Sequence, residues 1–410
     1  MKNLLFITPQ AFHDKSNNAG AKVINYYIKK FSIEFNVTVL LSYDIKSYKK
    51  NIKENELMFE NNPNIKFVFC FKEKGIINKF IDGVIKFRFY YKLLQKVSAK
   101  NYKTNGLVSN SLNKAISKLQ NPNIYDVVII EFPTLLFQSK IIKNNFQNAK
   151  LVASIHDVSF QSLERYLNCN KVWTKKNQYY SKFKKNELEN LKNFDLIVVL
   201  SEKDKELIEF EIDKTIELIT IQPYFDKYNY QHQNLDGICF FGSMSRSENE
   251  SSMIWFIENV WSKLNNNYLK LYIVGGGVTE NFDLFCSRYN NIILTGYILD
   301  PLPIFNKCYA MVVPLQFGAG VKIKTLEALA SGMPLISNEI GVEGVLLNKD
   351  IEYLHCESPL EWINTIEMII NNVKVRQELS LNSKYFMKQN YNLEESYNKY
   401  KFKINELFLK

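Results

Sequence analysis

The sequence predicts an α/β protein of two parallel-sheet domains. Three observations carry that prediction: a length of 410 residues, short apolar runs separated by helical stretches, and the return of the same alternation in the second half. A chain this long exceeds one ordinary core and divides into units of roughly 150–220 residues. Its 46% hydrophobic and 14% aromatic residues are enough to bury two sheets, and a charged fraction of 23% is ordinary for a globular fold.

The first series of strands is expected at Asn3–Ile7, Val37–Leu41, Ile65–Phe69, Val127–Ile130, Leu151–Ile155 and Leu196–Leu200. Runs this short, apolar and β-branched fit parallel strands covered on both faces. A second series follows at Ile238–Phe241, Leu269–Val274, Ile292–Leu294, Tyr309–Val313 and Pro334–Ile336, with helical patterns at Ser251–Leu264 and Val321–Ala330. Between the series, Pro223 and several tyrosines and polar residues show no period, which marks a linker. The expected division is a first domain at 1–222, a linker at 223–236, a second domain at 237–390 and a closing helix at 391–410.

Six scattered cysteines form no C-x-x-C pair and no histidine stands at metal-ligand spacing, so neither a zinc site nor a disulfide framework is expected, and a reducing cytosol fits. The apolar run Leu4–Ile7 is too short for a signal peptide, and no window reaches a membrane span. The formal charge of +10 suits nucleic acid, an anionic membrane or a phosphorylated substrate without choosing among them. Its lysines are dispersed and no recognition motif accompanies them, which argues against nucleic acid. Residues 76–97 place Ile77, Phe80, Ile81, Val84, Tyr91 and Leu94 on one helical stripe among Lys79, Lys86, Arg88, Lys92 and Lys96. Such a stripe either buries against a domain or lies on an anionic membrane surface.

The most informative stretch is Pro314-Leu-Gln-Phe-Gly-Ala-Gly-Val-Lys-Ile-Lys-Thr-Leu-Glu-Ala-Leu-Ala-Ser-Gly-Met-Pro334, where a strand enters a glycine loop and a helix leaves it. Gly318 and Gly320 would let a diphosphate approach the backbone, and the N–H groups of a helix starting near Val321 would point at that anion. Lys322 and Lys324 oppose the usual preference for acidic residues in a first turn, which makes sense if they serve a phosphate. Glu327 could accept hydrogen bonds from ribose hydroxyls; the plainer alternative is a surface ion pair with Lys324.

Glu327-Ala-Leu-Ala-Ser-Gly-Met-Pro334 resembles the second half of the signature of the group 1 glycosyltransferases, family 4 in the carbohydrate-enzyme classification. The resemblance implies a GT-B fold: two Rossmann-like parallel-sheet domains face a central cleft, and C-terminal helices cross back to the first domain. It assigns Glu327 to the donor ribose. The family's other signature glutamate, on the donor sugar, would fall at Ala319 and is missing. Phe240-Phe-Gly-Ser-Met-Ser-Arg-Ser-Glu-Asn249 is similar to the strand and loop that open the donor domain, with Gly242 allowing phosphate approach and Arg246 a diphosphate contact. Leu271–Gly277 and Leu294–Ile298 are strands running into glycine turns; the resemblance brings Gly276 to the donor and the nucleotide base near Tyr297. Val321 belongs to the same donor set.

In the first half, the loop before a helix at Ser16–Lys22 loosely resembles the acceptor-side turn, where Gly20 would admit a substrate beside Lys22. His156 and Asp157 directly follow a strand, and Glu131 ends another, at the carboxyl edge where open α/β sheets place ligands. These three are the candidate catalytic groups for taking a proton from an acceptor hydroxyl in an inverting reaction. Glu131 could equally contact the acceptor or cap a helix. The expectation is transfer of a hexose or N-acetylhexosamine from a nucleotide sugar, UDP in preference to GDP, to a saccharide or lipid-linked saccharide in cell-surface glycan synthesis. No metal or other cofactor is expected, nor an Asp-x-Asp motif to hold one. Location would be cytoplasmic, with peripheral membrane contact through 76–97. The rivals are a sugar-nucleotide epimerase of the same fold and a non-catalytic nucleotide-sugar-binding partner. Sugar, linkage, anomeric outcome and oligomeric state stay open.

Overall fold

The computed structural model describes residues 1–9, 12, 18–44, 49, 52–72, 112–169, 176–212, 215–266 and 268–409, so the basic aromatic segment 76–97 lies outside the described residues. The first domain carries β1 (Asn3–Thr8), β2 (Asn36–Asp44), β3 (Ile65–Lys72), β4 (Val127–Glu131), β5 (Lys150–Ile155), β6 (Leu196–Val199) and β7 (Glu217–Thr220). They form one parallel sheet in the order β3-β2-β1-β4-β5-β6-β7. Alternate residues of β1 feed opposite cores: Leu4 and Phe6 pack on one face, Leu5 and Ile7 on the other. Each such side chain contributes about 1.5–3 kcal/mol by leaving water.

Helices cover both faces. The helix α1 (Ala19–Phe31) starts where the Asn18 side chain accepts the Ala21 N–H, and buries Val23, Ile24, Tyr27, Ile28 and Phe31. Farther along come α2 (Ile52–Glu60), α3 (Ser139–Asn145), α4 (Ser159–Cys169), α5 (Lys176–Leu191) and α6 (Glu202–Glu209). No helix or strand interrupts residues 221–236.

The second domain repeats the plan with β8 (Gly237–Phe241), α7 (Ser247–Asn259), β9 (Lys270–Val274), α8 (Glu280–Cys286), β10 (Ile292–Gly296), α9 (Leu302–Phe305), β11 (Cys308–Val313), α10 (Ile323–Ser331), β12 (Leu335–Ser337) and β13 (Leu354–His355). Its sheet runs β10-β9-β8-β11-β12-β13, again parallel. Then follow α11 (Pro359–Asn371), opened by a capping box of Ser358 and Glu361, α12 (Val373–Asn390) and α13 (Leu393–Leu407). The last of these crosses back: Tyr400, Ile404 and Leu407 complete a first-domain core, and Ser396 Oγ lies 2.8 Å from Tyr27 Oη.

Local boundaries depart from the sequence pattern in three places. The helix expected at Ser251–Leu264 runs Ser247–Asn259 and gives way to a 3-10 turn at Trp261–Lys263. The helix expected near Val321 starts two residues later, because Gly320 turns the chain with φ +70°. Strands β7 and β13 were not anticipated. Each sheet reverses strand order once, between β1 and β4 and between β8 and β11, and the carboxyl edges at those two points face one another.

Candidate active site

On the second domain, β11 runs into residues 314–322 and then into α10. Lys322 is the N-cap residue, makes no side-chain cap bond, and no acidic residue stands in the first turn. The first-turn N–H groups of such a helix have no intrahelical acceptor and favour an anion. Gly318, at φ +121°, has open space on its Cβ side, with nothing nearer than 3.9 Å. At Gly320 a Cβ would lie 2.7 Å from the His156 carbonyl oxygen, so its bareness lets the two domains touch.

The two lysines diverge from this turn. Lys322 Nζ donates to the Gly320 carbonyl at 2.6 Å and lies 3.4 Å from Glu343. Burial, helped by Arg165 and Lys203, pushes its amine down to about 7. Lys324 Nζ donates to Asn249 Oδ1 at 2.8 Å and sits 4.0 Å from the centre of the Phe240 ring. Burial first, then Arg246, lowers that amine well below its usual range. Gly242 makes room for it, since a Cβ there would come within 2.8 Å of Lys324 Nζ.

Glu327 corrects the plainer alternative of a surface pair with Lys324. Its carboxylate is buried, 3% exposed, and lies 3.8 Å from Lys22 Nζ. Lys22 therefore reaches the Glu327 carboxylate from α1 and also pairs with Asp226 of the linker. Burial pushes the Glu327 carboxyl up to about 7, partly offset by Lys22. Arg246 stands at the N-cap position of α7 without a side-chain cap bond, is 61% exposed along its side chain and pairs with Glu248. Gly276 and Tyr297 come together, a Cβ on the glycine falling 3.1 Å from Tyr297 Cβ, and the tyrosine is 53% exposed. Val321 packs on the cores of both domains.

Across the cleft, Glu131 closes β4 and is buried, with its Oε2 3.0 Å from His156 Nε2. It is not a helix cap: the 3-10 turn Pro133–Gln138 begins from Phe132. An ionised Glu131 accepts from Nε2–H and so fixes the histidine's tautomer. The Phe132 ring stacks on His156 at 4.2 Å, and Phe132 holds a strained φ of +74°. Gly20 faces that ring, its would-be Cβ 2.5 Å from Phe132 Cζ, so it accommodates an aromatic side chain where substrate access had been expected. Asp157 meets the Gly320 turn; burial raises its carboxyl, while Arg246, His156 and Lys322 pull it back.

The sequence pattern missed Arg165, Lys203, Asp226 and Glu343. Arg165 Nη1 donates to the Gly318 carbonyl at 2.7 Å, and its fork grips Glu343 at 2.6 and 2.7 Å. Lys203 also pairs with Glu343. The one local signal was an acidic residue close to two glycines, Gly341 and Gly344, just beyond β12. As a whole the cleft sets a helix N-terminus with buried cations opposite a histidine and carboxyls, which suits departure of an anionic group beside an activated hydroxyl.

Residues 236–372 match the family described as Glycosyl transferases group 1. An uncharacterized 44.6 kDa protein in the cps region of Klebsiella pneumoniae is 25% identical over 283 residues, covering 65% of this chain and 71% of that protein. Sucrose-phosphate synthase from Thermosynechococcus elongatus superposes with a TM-score of 0.70 at 12% identity over 100% of both chains. Anabaena Alr3699/HepE, solved with UDP and glucose, gives 0.67 at 11% identity over 99% of this chain and 100% of that one. A TarM variant from S. aureus, solved with fondaparinux, alpha-GlcNAc-glycerol and UDP, gives 0.68 at 14% identity over 100% of both. The structural likenesses show the fold, the two-domain GT-B plan, and the family match covers residues 236–372: the second domain is similar to that of the group 1 glycosyltransferases.

Proposed function

We propose that the enzyme transfers a hexose or N-acetylhexosamine from a nucleoside diphosphate sugar, UDP in preference to GDP, to a saccharide or lipid-linked saccharide in cell-surface glycan assembly. The observation that carries this reading is the acid-free start of α10, with Gly318 open and Lys322 and Lys324 beside it, facing His156 and Asp157. In this reading the diphosphate lies on that turn, Glu327 takes the ribose after exchanging Lys22, and Tyr297 and Gly276 border the base. UDP in the Alr3699/HepE and TarM structures supports the choice of base, and the cps-region relative supports a surface-glycan product.

As the bond to the anomeric carbon breaks, negative charge grows on the leaving diphosphate. Lys322 and Lys324, drawn to their ammonium forms by the diphosphate, together with Arg246 and the helix N-terminus supply positive charge there, and the reading assigns the enzyme no resident metal. The acceptor hydroxyl approaches from the first domain. In an inverting reaction His156 or Asp157 takes its proton, with Glu131 acting through His156; in a retaining one the departing phosphate does so. The anomeric configuration of the product decides between them. Transfer is favoured over epimerisation and over mere binding by the family match.

Among the described residues no helix is long and apolar enough to cross a membrane. Contact of residues 76–97 with an anionic bilayer is part of the proposal, tested by flotation with phosphatidylglycerol vesicles before and after joint substitution of Lys79, Lys86, Arg88 and Lys92. The donor site is tested by melting the protein with UDP, GDP, CDP or ADP and their sugars. A ligand at about a hundred times its dissociation constant adds about 2.7 kcal/mol. A selective shift with uridine nucleotides that Glu327→Ala removes is expected; no shift with any nucleotide would sink the reading.

A further inference from the structure

We infer that Arg165, a residue of the first domain, is a positioning residue for the phosphate loop of the second, and that it acts through Glu343. The inference rests on the donor-site reading above, because it concerns the shape of that same loop.

Arg165 reaches from α4 across the cleft and makes three short bonds, one to the Gly318 carbonyl and two to the Glu343 carboxylate. A planar fork on a carboxylate fixes direction as well as distance. The bond to Gly318 matters beyond its own strength. In a trans peptide C=O and N–H point in opposite directions, so holding the Gly318 carbonyl also sets where the Ala319 N–H points. Glu343, its side chain 4% exposed, ties the other end of the loop through Lys322 and ties the first domain again through Lys203.

The arm that carries Arg165 is itself fixed. The N–H groups that open α4, at Ser159 and Phe160, donate to the buried Glu187 carboxylate at 3.0 and 2.8 Å. The next residue, Tyr166, sets its ring edge-on to Phe317 at 5.9 Å. Beside the knot, Gly344 at φ +78° would bring a Cβ within 3.0 Å of Ser201. The helix that follows His156 and Asp157 therefore also grips the loop meant for the leaving group, so closure of the domains and the shape of the loop are set together.

The test uses the full chain and the variants Arg165→Ala, Arg165→Lys and Glu343→Gln. In UDP titration calorimetry, Arg165→Ala and Glu343→Gln are expected to weaken affinity roughly tenfold, as loss of a charge-assisted bond does, with Arg165→Lys in between. Arg165→Ala added to Glu343→Gln should weaken it no further. Small-angle X-ray scattering without nucleotide should show a larger radius of gyration for Arg165→Ala and Glu343→Gln than for the parent. Arg165→Lys keeps the charge and guards against misfolding as the cause. Unchanged UDP affinity, or an unchanged scattering profile, in both the alanine and glutamine variants overturns the inference. Should the parent bind no UDP, the donor-site reading is what fails, and the scattering alone decides whether Arg165 clamps the loop.

Discussion

The two carboxyl edges that face each other across the cleft are built from the same sheet plan and differ in how they make a site. The second domain uses backbone: a glycine turn, a helix start free of acids, and lysines that follow within a few residues. The first uses side chains gathered from separate strands, Glu131 from β4 and His156 from the end of β5. A backbone site is local in sequence and tolerates few changes of shape; a side-chain site is assembled by the fold and can vary in chemistry. The difference predicts that damage to one edge should appear in nucleotide binding and turnover together, and damage to the other in turnover alone.

The largest effect is expected from Lys322→Ala. Removing one fixed charge that stabilises a leaving group typically costs 10²–10³ in kcat, about 2.7–4 kcal/mol, and steady-state turnover of the UDP-sugar identified by melting measures it. The loss should carry a pH signature. With its amine pushed down to about 7, Lys322 sheds its charge in the free protein as pH rises past that value, while a bound diphosphate favours the ammonium. UDP affinity should fall between pH 7 and 9 in the parent and stay flat over that range in the variant. A parallel fall in both would show that another group titrates there.

Glu131→Gln breaks the comparison from the other side. The amide keeps the size of the carboxylate but no longer fixes the His156 tautomer, so turnover should drop about a hundredfold, at the low end for acid–base groups, while UDP affinity holds. Equal losses in binding and turnover would mean that this edge supports the donor and not the acceptor chemistry.

How much of this was legible follows the same division. Parallel strands covered on both faces read directly as apolar runs, continuous at Val127–Ile130 and broken only by Ser154 at Leu151–Ile155. Strand β7 did not, because it lies at the sheet edge with only Ile219 fully buried, and β13 is two residues long. The Gly318–Lys324 turn was legible because its residues are neighbours. The partners of its charges were not: Arg165 and Glu343 are 178 positions apart, and no local pattern links them. The loop before α1 points Lys22 to the acceptor side, whereas packing of α1 against the linker carries its ammonium to Asp226 and Glu327.

Glu327→Gln sharpens the comparison through stability. Burial dominates the rise of this carboxyl from its usual 4.5 to about 7, so the native chain holds a proton between those values that the unfolded chain releases. The resulting stabilisation is complete below pH 4.5 and is lost as pH rises to about 7. A glutamine does not titrate. The parent should therefore lose on the order of 1–2 kcal/mol relative to Glu327→Gln across that window in urea unfolding, less than the full shift because the two-state reference chain is itself partly compact. A difference that grows in the opposite sense would mean that attraction from Lys22 outweighs burial.

The smallest effect belongs to Arg246, which tests whether the donor edge extends to its rim. The side chain is mostly exposed and already paired with Glu248, and an exposed charge of this kind contributes well under about 1 kcal/mol. Arg246→Ala should weaken UDP by only about threefold, with the deficit shrinking at high salt because water and ions screen the charge. It should also leave Asp157 with less positive charge nearby, so any acid limb in turnover assigned to that carboxyl should move to higher pH. A loss of UDP affinity as large as that of Lys322→Ala would place Arg246 among the groups that grip the diphosphate directly, with Glu248 surrendering it when the donor arrives.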